Sequence, residues 1–172
     1  MDLAHLVIVP ALLWIAVTDV LYRRIGNPVV LALLLAWLAH AGWQLSAGHD
    51  AALTPGVVAG ALVLVAGYLL FVMGWMGAGD AKLMAVLCLW LGGEQTPVFL
   101  MVTALAGGLL ALAMPLLRTL ERALALALMR VDTWLPRPAI PLPQALGSQP
   151  ASGIPYGLAI ASGAAFVLWG GG

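Results

Sequence analysis

The chain has 172 residues, of which 63% are hydrophobic and 8% charged, and its formal net charge is zero. A soluble domain carries about 25% charged residues, and seven acids plus seven bases cannot cover the surface of a soluble protein of this size. With a mean hydropathy of +1.07, these figures exclude a soluble cytosolic enzyme, a nucleic-acid binder and a disordered chain; the length fits one domain over 1–172.

A membrane span takes about 20 apolar residues at about 1.5 Å rise each. The first predicted span covers 3–22 and stops at Arg23 and Arg24. The N-terminal residues 1–5 lack the basic region of a signal peptide, so this stretch reads as a retained span. A second span covers 28–45, with polar residues following to 50. A third covers 53–75 and runs into the glycine-rich stretch 74–80. The fourth, 81–91, is short, and 92–97 has the composition of a turn. The fifth covers 98–117. Residues 118–152 then carry four of the arginines and five of the eleven prolines. A short sixth span covers 154–169. The expected fold is an all-α polytopic membrane protein with about six transmembrane helices.

Lysine and arginine placement orients the chain. With six spans, one set of loops is 23–27, 76–82 and 118–152. These loops hold Arg23, Arg24, Lys82, Arg118, Arg122, Arg130 and Arg137, which is all seven basic residues. That face is expected to be cytoplasmic, with both termini outward. On a helical wheel over 118–135, Arg118, Glu121, Arg122 and Asp132 share a sector, with Arg130 near its edge. An interfacial amphipathic helix accounts for this, and so does simple positive-inside charge. Residues 137–150 are expected to be an extended linker.

Acids in or beside a span are costly and are functional candidates by default. Asp19 lies near the cytoplasmic end of span one. Asp80 lies between Gly79 and Ala81, at the junction of spans three and four. The topology brings both to one face at similar depth. Asp2, Asp50 and Glu94 fall outward, and Glu121 and Asp132 lie among arginines that can pair with them. Two carboxylates close together share a proton. The ionised member can take a proton from water while the other protonates a carbonyl oxygen, which is peptide hydrolysis without a covalent intermediate. Simpler readings exist: Asp19 has the spacing to pair with Arg23, and Asp80 could cap the fourth helix. Glycines 77 and 79 permit a sharp turn and close approach of a substrate strand, and they also suit helix packing. His5, His40 and His49 are dispersed and read as packing or interface residues. The single cysteine, Cys88, reads as a small packed hydrophobe. No metal cluster, CxxC pair or GxSxG elbow is present.

Gly77-Ala78-Gly79-Asp80-Ala81-Lys82-Leu83 resembles the GxGDxKL signature of type IV prepilin peptidases, aspartic proteases of the bacterial inner membrane. Asp19 followed by Arg23-Arg24-Ile25-Gly26-Asn27 resembles that family's second motif, an aspartate some residues before Ile-Pro-Asn. Pro155-Tyr156-Gly157 resembles the stretch that opens the family's last span. The resemblance implies an endopeptidase that removes the basic leader from prepilins and pseudopilins at the cytoplasmic membrane face. It implies Asp19 and Asp80 as the catalytic pair and Gly77 and Gly79 as the turn presenting Asp80. Lys82, Asn27, Pro155 and Tyr156 match motif positions that could place substrate. Gly26 stands where the family usually has proline. The cytoplasmic CxxC loop of the longer, methylating members is missing, so the chain resembles the short peptidase-only form of Flp (tight-adherence) pilus systems. The implied partners are prepilin precursors and membrane lipid, with no cofactor, no metal and no nucleic acid. A catalytically silent assembly scaffold and an ion-coupled transport subunit are the rival readings.

Overall fold

The computed structural model describes residues 3–48, 53–114, 116, 119–120, 123, 126 and 154–170. Five helical elements organise them: α1 (Leu3–Tyr22), α2 (Asn27–Ser46), α3 (Thr54–Val72), α4 (Ala78–Leu112) and α5 (Tyr156–Gly170). No strand occurs among the described residues. The predicted segment 118–152, its amphipathic helix and its linker lie outside the described residues apart from the four helical positions 119–120, 123 and 126. Asp2, His49 and Asp50 also lie outside them.

Four helices, α1 to α4, are long and apolar enough to cross a membrane by length and composition. The sequence predicts about six. The difference lies in two places. α5 has 15 residues, short of the ~20 that a full crossing takes. The predicted fourth and fifth spans are joined in the 35-residue α4. Within α4 only Gly92 departs from helical geometry, at φ 80° and ψ 168°. The predicted six-residue turn over 92–97 is therefore a single-residue break, with helix resuming at Gly93. That backbone region is open essentially to glycine alone.

The chain reverses at this break. Gly67 faces Ala81, Gly60 faces Ala85 and Leu89, and Gly56 faces Leu89 and Gly92. The first half of α4 thus runs antiparallel to α3. On the second half, Gly107 faces Tyr156 while Thr103 and Phe99 face Gly163, so this half runs antiparallel to α5. Across the break the side chains of Cys88 and Thr96 meet.

Small residues build these contacts, and large ones face outward. A Cβ at Gly60 would stand 3.0 Å from the Ala85 carbonyl oxygen, and one at Gly56 equally close to that of Leu89. Their four-residue spacing is the small-xxx-small pattern that lets membrane helices approach. Leu13, Trp43, Leu62, Val65, Leu105 and Leu109 are exposed, as expected where lipid rather than water is the solvent. The buried cluster includes Ile8, Leu12 and Ile15 of α1, Leu33 of α2, Leu83 and Leu87 of α4, Phe99, and Ile160 and Ala164 of α5.

α2 attaches differently. Trp37 Nε1 donates to the Leu89 carbonyl at 2.9 Å, and Trp90 Nε1 donates to the Leu33 carbonyl at 3.1 Å. Leu89 lies three residues before the break at Gly92, so the Trp37 bond fastens α2 close to that break. At the far end of the bundle His5 Nε2 lies 3.1 Å from the Leu168 carbonyl in the last turn of α5. His40 stacks on Trp90. His40 thus packs against an aromatic ring, whereas His5 ties the start of α1 to the end of α5 through a hydrogen bond.

Candidate active site

Ile8, Leu12, Ile15 and Asp19 follow one another at helical spacing on the buried face of α1. Asp19 thus continues an apolar stripe with a carboxylate, and it is only 5% exposed. Burial of such a group requires polar partners. One is the Leu158 N–H in the first turn of α5, which donates to Asp19 Oδ2 at 3.3 Å. That amide is shared with the Pro155 carbonyl at 3.2 Å, and the helix dipole adds positive potential at that end. The close approach depends on Gly157, because a Cβ there would lie 2.9 Å from both Cγ and Oδ2 of Asp19.

α1 ends three residues later, at Tyr22. Arg23 takes φ 51° and its N–H donates to the Asp19 carbonyl at 2.9 Å. A residue in the left-handed region turns the chain out of the helix. Gly26 then caps α2 in extended geometry, with proline in the opening turn, where its missing N–H costs little. The short connection packs on the start of α4, since a Cβ at Gly79 would stand 3.2 Å from Ile25 Cβ.

Gly77 is the N-cap of α4, with φ −73° and ψ 143°. Asp80 is the acid of the first turn, and its carboxylate folds back on Gly77, where a Cβ would lie 2.7 Å from Oδ2. An acid in this place favours the helix N-terminus, although the N-cap position itself belongs to Gly77 and not to Asp80. Asp19 and Asp80 line one cavity of about 320 Å³, together with Arg23, Arg24, Ile25, Gly77, Gly79, Ile154 and Tyr156. The Tyr156 ring is seated against Gly107, where a Cβ would meet Cε2 at 2.9 Å.

The predicted residues divide into three groups. Asp19, Asp80, Gly77, Gly79 and Tyr156 share the cavity. Pro155 is buried beside it. Asn27 and Lys82 line a neighbouring groove instead. Sequence reasoning read Arg23 and Arg24 as topogenic charge, Arg23 also as a possible ion-pair partner of Asp19, and both with Ile25 as part of the second motif, without placing them in the cavity; it passed over Gly107 and the amide of Leu158. Gly157 stood in the Pro-Tyr-Gly stretch, and its contact with Asp19 is the reason a residue without a side chain is needed there. Among the described residues no group of three or more His, Cys, Asp or Glu comes together as a metal site.

Two carboxylates from different helices, in a half-polar cavity at the ends of apolar helices, define a membrane-embedded site suited to proton transfer. The type IV leader peptidase family model matches residues 6–112, which takes in both aspartates and the glycine turn. The chain belongs to the type IV leader peptidase family, and is accordingly a multi-pass membrane protease. Pro155, Tyr156 and Gly157 lie beyond the matched region. No curated protein and no solved structure matches the chain.

Proposed function

We propose that the chain is a two-aspartate endopeptidase that removes the short basic leader of Flp-type prepilins at the cytoplasmic face of the bacterial inner membrane. The observation that carries this reading is the single cavity lined by Asp19 and Asp80 in a chain of the leader peptidase family. A water held between the carboxylates loses a proton to the ionised member and attacks the scissile carbonyl. The protonated member gives its proton to the carbonyl oxygen. Collapse of the tetrahedral intermediate breaks the C–N bond, and the leaving amine takes the proton gained from water.

The reversal at Gly92 supports six passages, with the two halves of α4 as separate crossings and α5 as the sixth. Arg23, Arg24 and Lys82 sit at the cavity end of the bundle while Glu94 follows the break at the other, which supports a cytoplasmic site. A basic leader is drawn to anionic lipid and to the carboxylate pair. Ion-coupled transport would use acids near the bilayer midplane, whereas Asp19 and Asp80 lie in the last and first turns of their helices.

The test is co-expression with a Flp-type prepilin, following leader removal by gel shift and N-terminal sequencing. Asp19→Asn and Asp80→Asn should each cut the rate by about 10²–10⁴-fold, the range of a lost acid or base, while accumulating in the membrane. Wild-type processing by either variant would overturn the reading, and intact leader with the unaltered chain would point to a scaffold.

A further inference from the structure

Among the described residues a second open space exceeds the carboxylate cavity in volume. A groove of about 710 Å³ lies between α2 and α3, floored by the first half of α4. It exists because α2 and α3 hardly touch, while the two indole bonds of Trp37 and Trp90 hold α2 against α4 at the inner end. Leu31, Leu34, Ala61, Leu64 and Val86 line its walls. From Lys82 to Leu89 on the floor it runs seven residues, which is about 10 Å or two helical turns.

The groove has one polar end. Asn27 and Lys82 stand there, each two residues from a lining residue of the carboxylate cavity, Ile25 and Asp80. The two spaces therefore adjoin, one polar and one apolar. We propose that this groove seats the apolar helix of the substrate, the segment just C-terminal to the scissile bond, with Asn27 and Lys82 at its entry. This rests on the leader peptidase reading above and adds where the enzyme holds its substrate. A helix lying here reaches the carboxylates at its N-terminal end. The scissile segment must unwind to be cut, and unwinding frees carbonyls that lipid cannot satisfy. The Lys82 ammonium and the Asn27 amide are donors at the point where those carbonyls emerge. Exposed small residues such as Ala61 leave room for one face of a helix, in the manner of small-residue packing. A second apolar groove, between α1 and α2, includes Ala11, Trp14 and Ala32, and among the described residues no charged or amide side chain lines it.

A benzophenone amino acid is placed at position 61 or at position 32, in the Asp19→Asn background so that prepilin is bound but not cut. The protein is reconstituted with a Flp-type prepilin in vesicles of phosphatidylethanolamine and phosphatidylglycerol. Light should link position 61 to the prepilin's apolar helix, and position 32 to lipid alone. In the otherwise unaltered enzyme, Ala61→Trp should raise KM about tenfold at nearly constant kcat, the mark of lost substrate binding, and Ala32→Trp should change neither. Adducts from position 61 only to lipid or to the chain itself would overturn the docking assignment and leave the peptidase reading standing. Should the unaltered enzyme leave the leader intact, the peptidase reading fails and the docking assignment falls with it. If Ala61→Trp does not accumulate, the adduct decides.

Discussion

Gly157 and Asp19 are in contact so close that the first carbon of any side chain at 157 would fall 2.9 Å from the carboxylate oxygen. The same turn of α5 supplies the Leu158 amide to that oxygen. Gly157→Ala should therefore displace Asp19 by a few tenths of an ångström or more and lose its hydrogen bond. Misplacement of a reacting group by about 1 Å costs roughly 10²-fold, and a fall in kcat of about that order is expected. Leader cleavage and thermal unfolding in detergent, measured together, check it: activity should fall far more than Tm.

A second expectation concerns the break in α4. A Cβ added at Gly92 would point into open space and meet nothing within 4 Å, so the whole cost of Gly92→Ala is conformational. It should lower stability by about 1–3 kcal/mol. Gly108 likewise meets nothing but sits in regular helix, and Gly108→Ala should be neutral or stabilising by about 0.5–1 kcal/mol. Comparing the two by thermal or denaturant unfolding separates backbone strain from packing.

Gly163 and Thr103 give a two-site test. A Cβ at Gly163 would overlap Thr103 Oγ1 and stand 3.0 Å from the Phe99 carbonyl oxygen. Thr103 Oγ1 is buried with no hydrogen-bond partner. Gly163→Ala should destabilise by about 1–3 kcal/mol through overpacking. Thr103→Ala in the same chain should recover part of it, because it removes the obstructing hydroxyl and an unsatisfied polar atom together. A double-mutant cycle in unfolding free energy reads the coupling, and strict additivity would contradict the contact.

The indole bonds between α2 and α4 predict a fourth outcome. Trp37→Phe keeps most of the ring and removes the donor to Leu89. Loss of one such hydrogen bond costs about 0.5–1.5 kcal/mol. The expected signature is a lower Tm with kcat nearly unchanged, since the bond lies at the opposite end of the first half of α4 from Asp80.

The helical fold and the meeting of Asp19 with Asp80 were legible in the sequence because both follow from counting. Apolar stretches give spans, and alternate crossing returns the two acids to one face. The glycine turn before Asp80 was legible as a motif. Gly92 was harder: its composition signals a turn over several residues, but one unusual backbone angle does the work, and no residue type announces that economy. The partners of Asp19 were not legible. The Leu158 donor is a main-chain amide, identical in every residue but proline, and Gly157 matters for what it lacks. Asn27 and Lys82 belong to the same motifs as the aspartates, yet they open onto a different space. Proximity in sequence fixed their depth but not the side of the helix that each would face.

The partnership of Asp19 with Leu158 joins residues 139 positions apart in the chain. During synthesis the first helix enters the membrane early, and Asp80 follows while α5 is still unmade. A nascent chain can hold both carboxylates and yet lack Tyr156, Gly157 and the amide that fixes Asp19. Maturation of the site is thus tied to the arrival of α5, so a ribosome-bound or truncated fragment inserts without a finished centre.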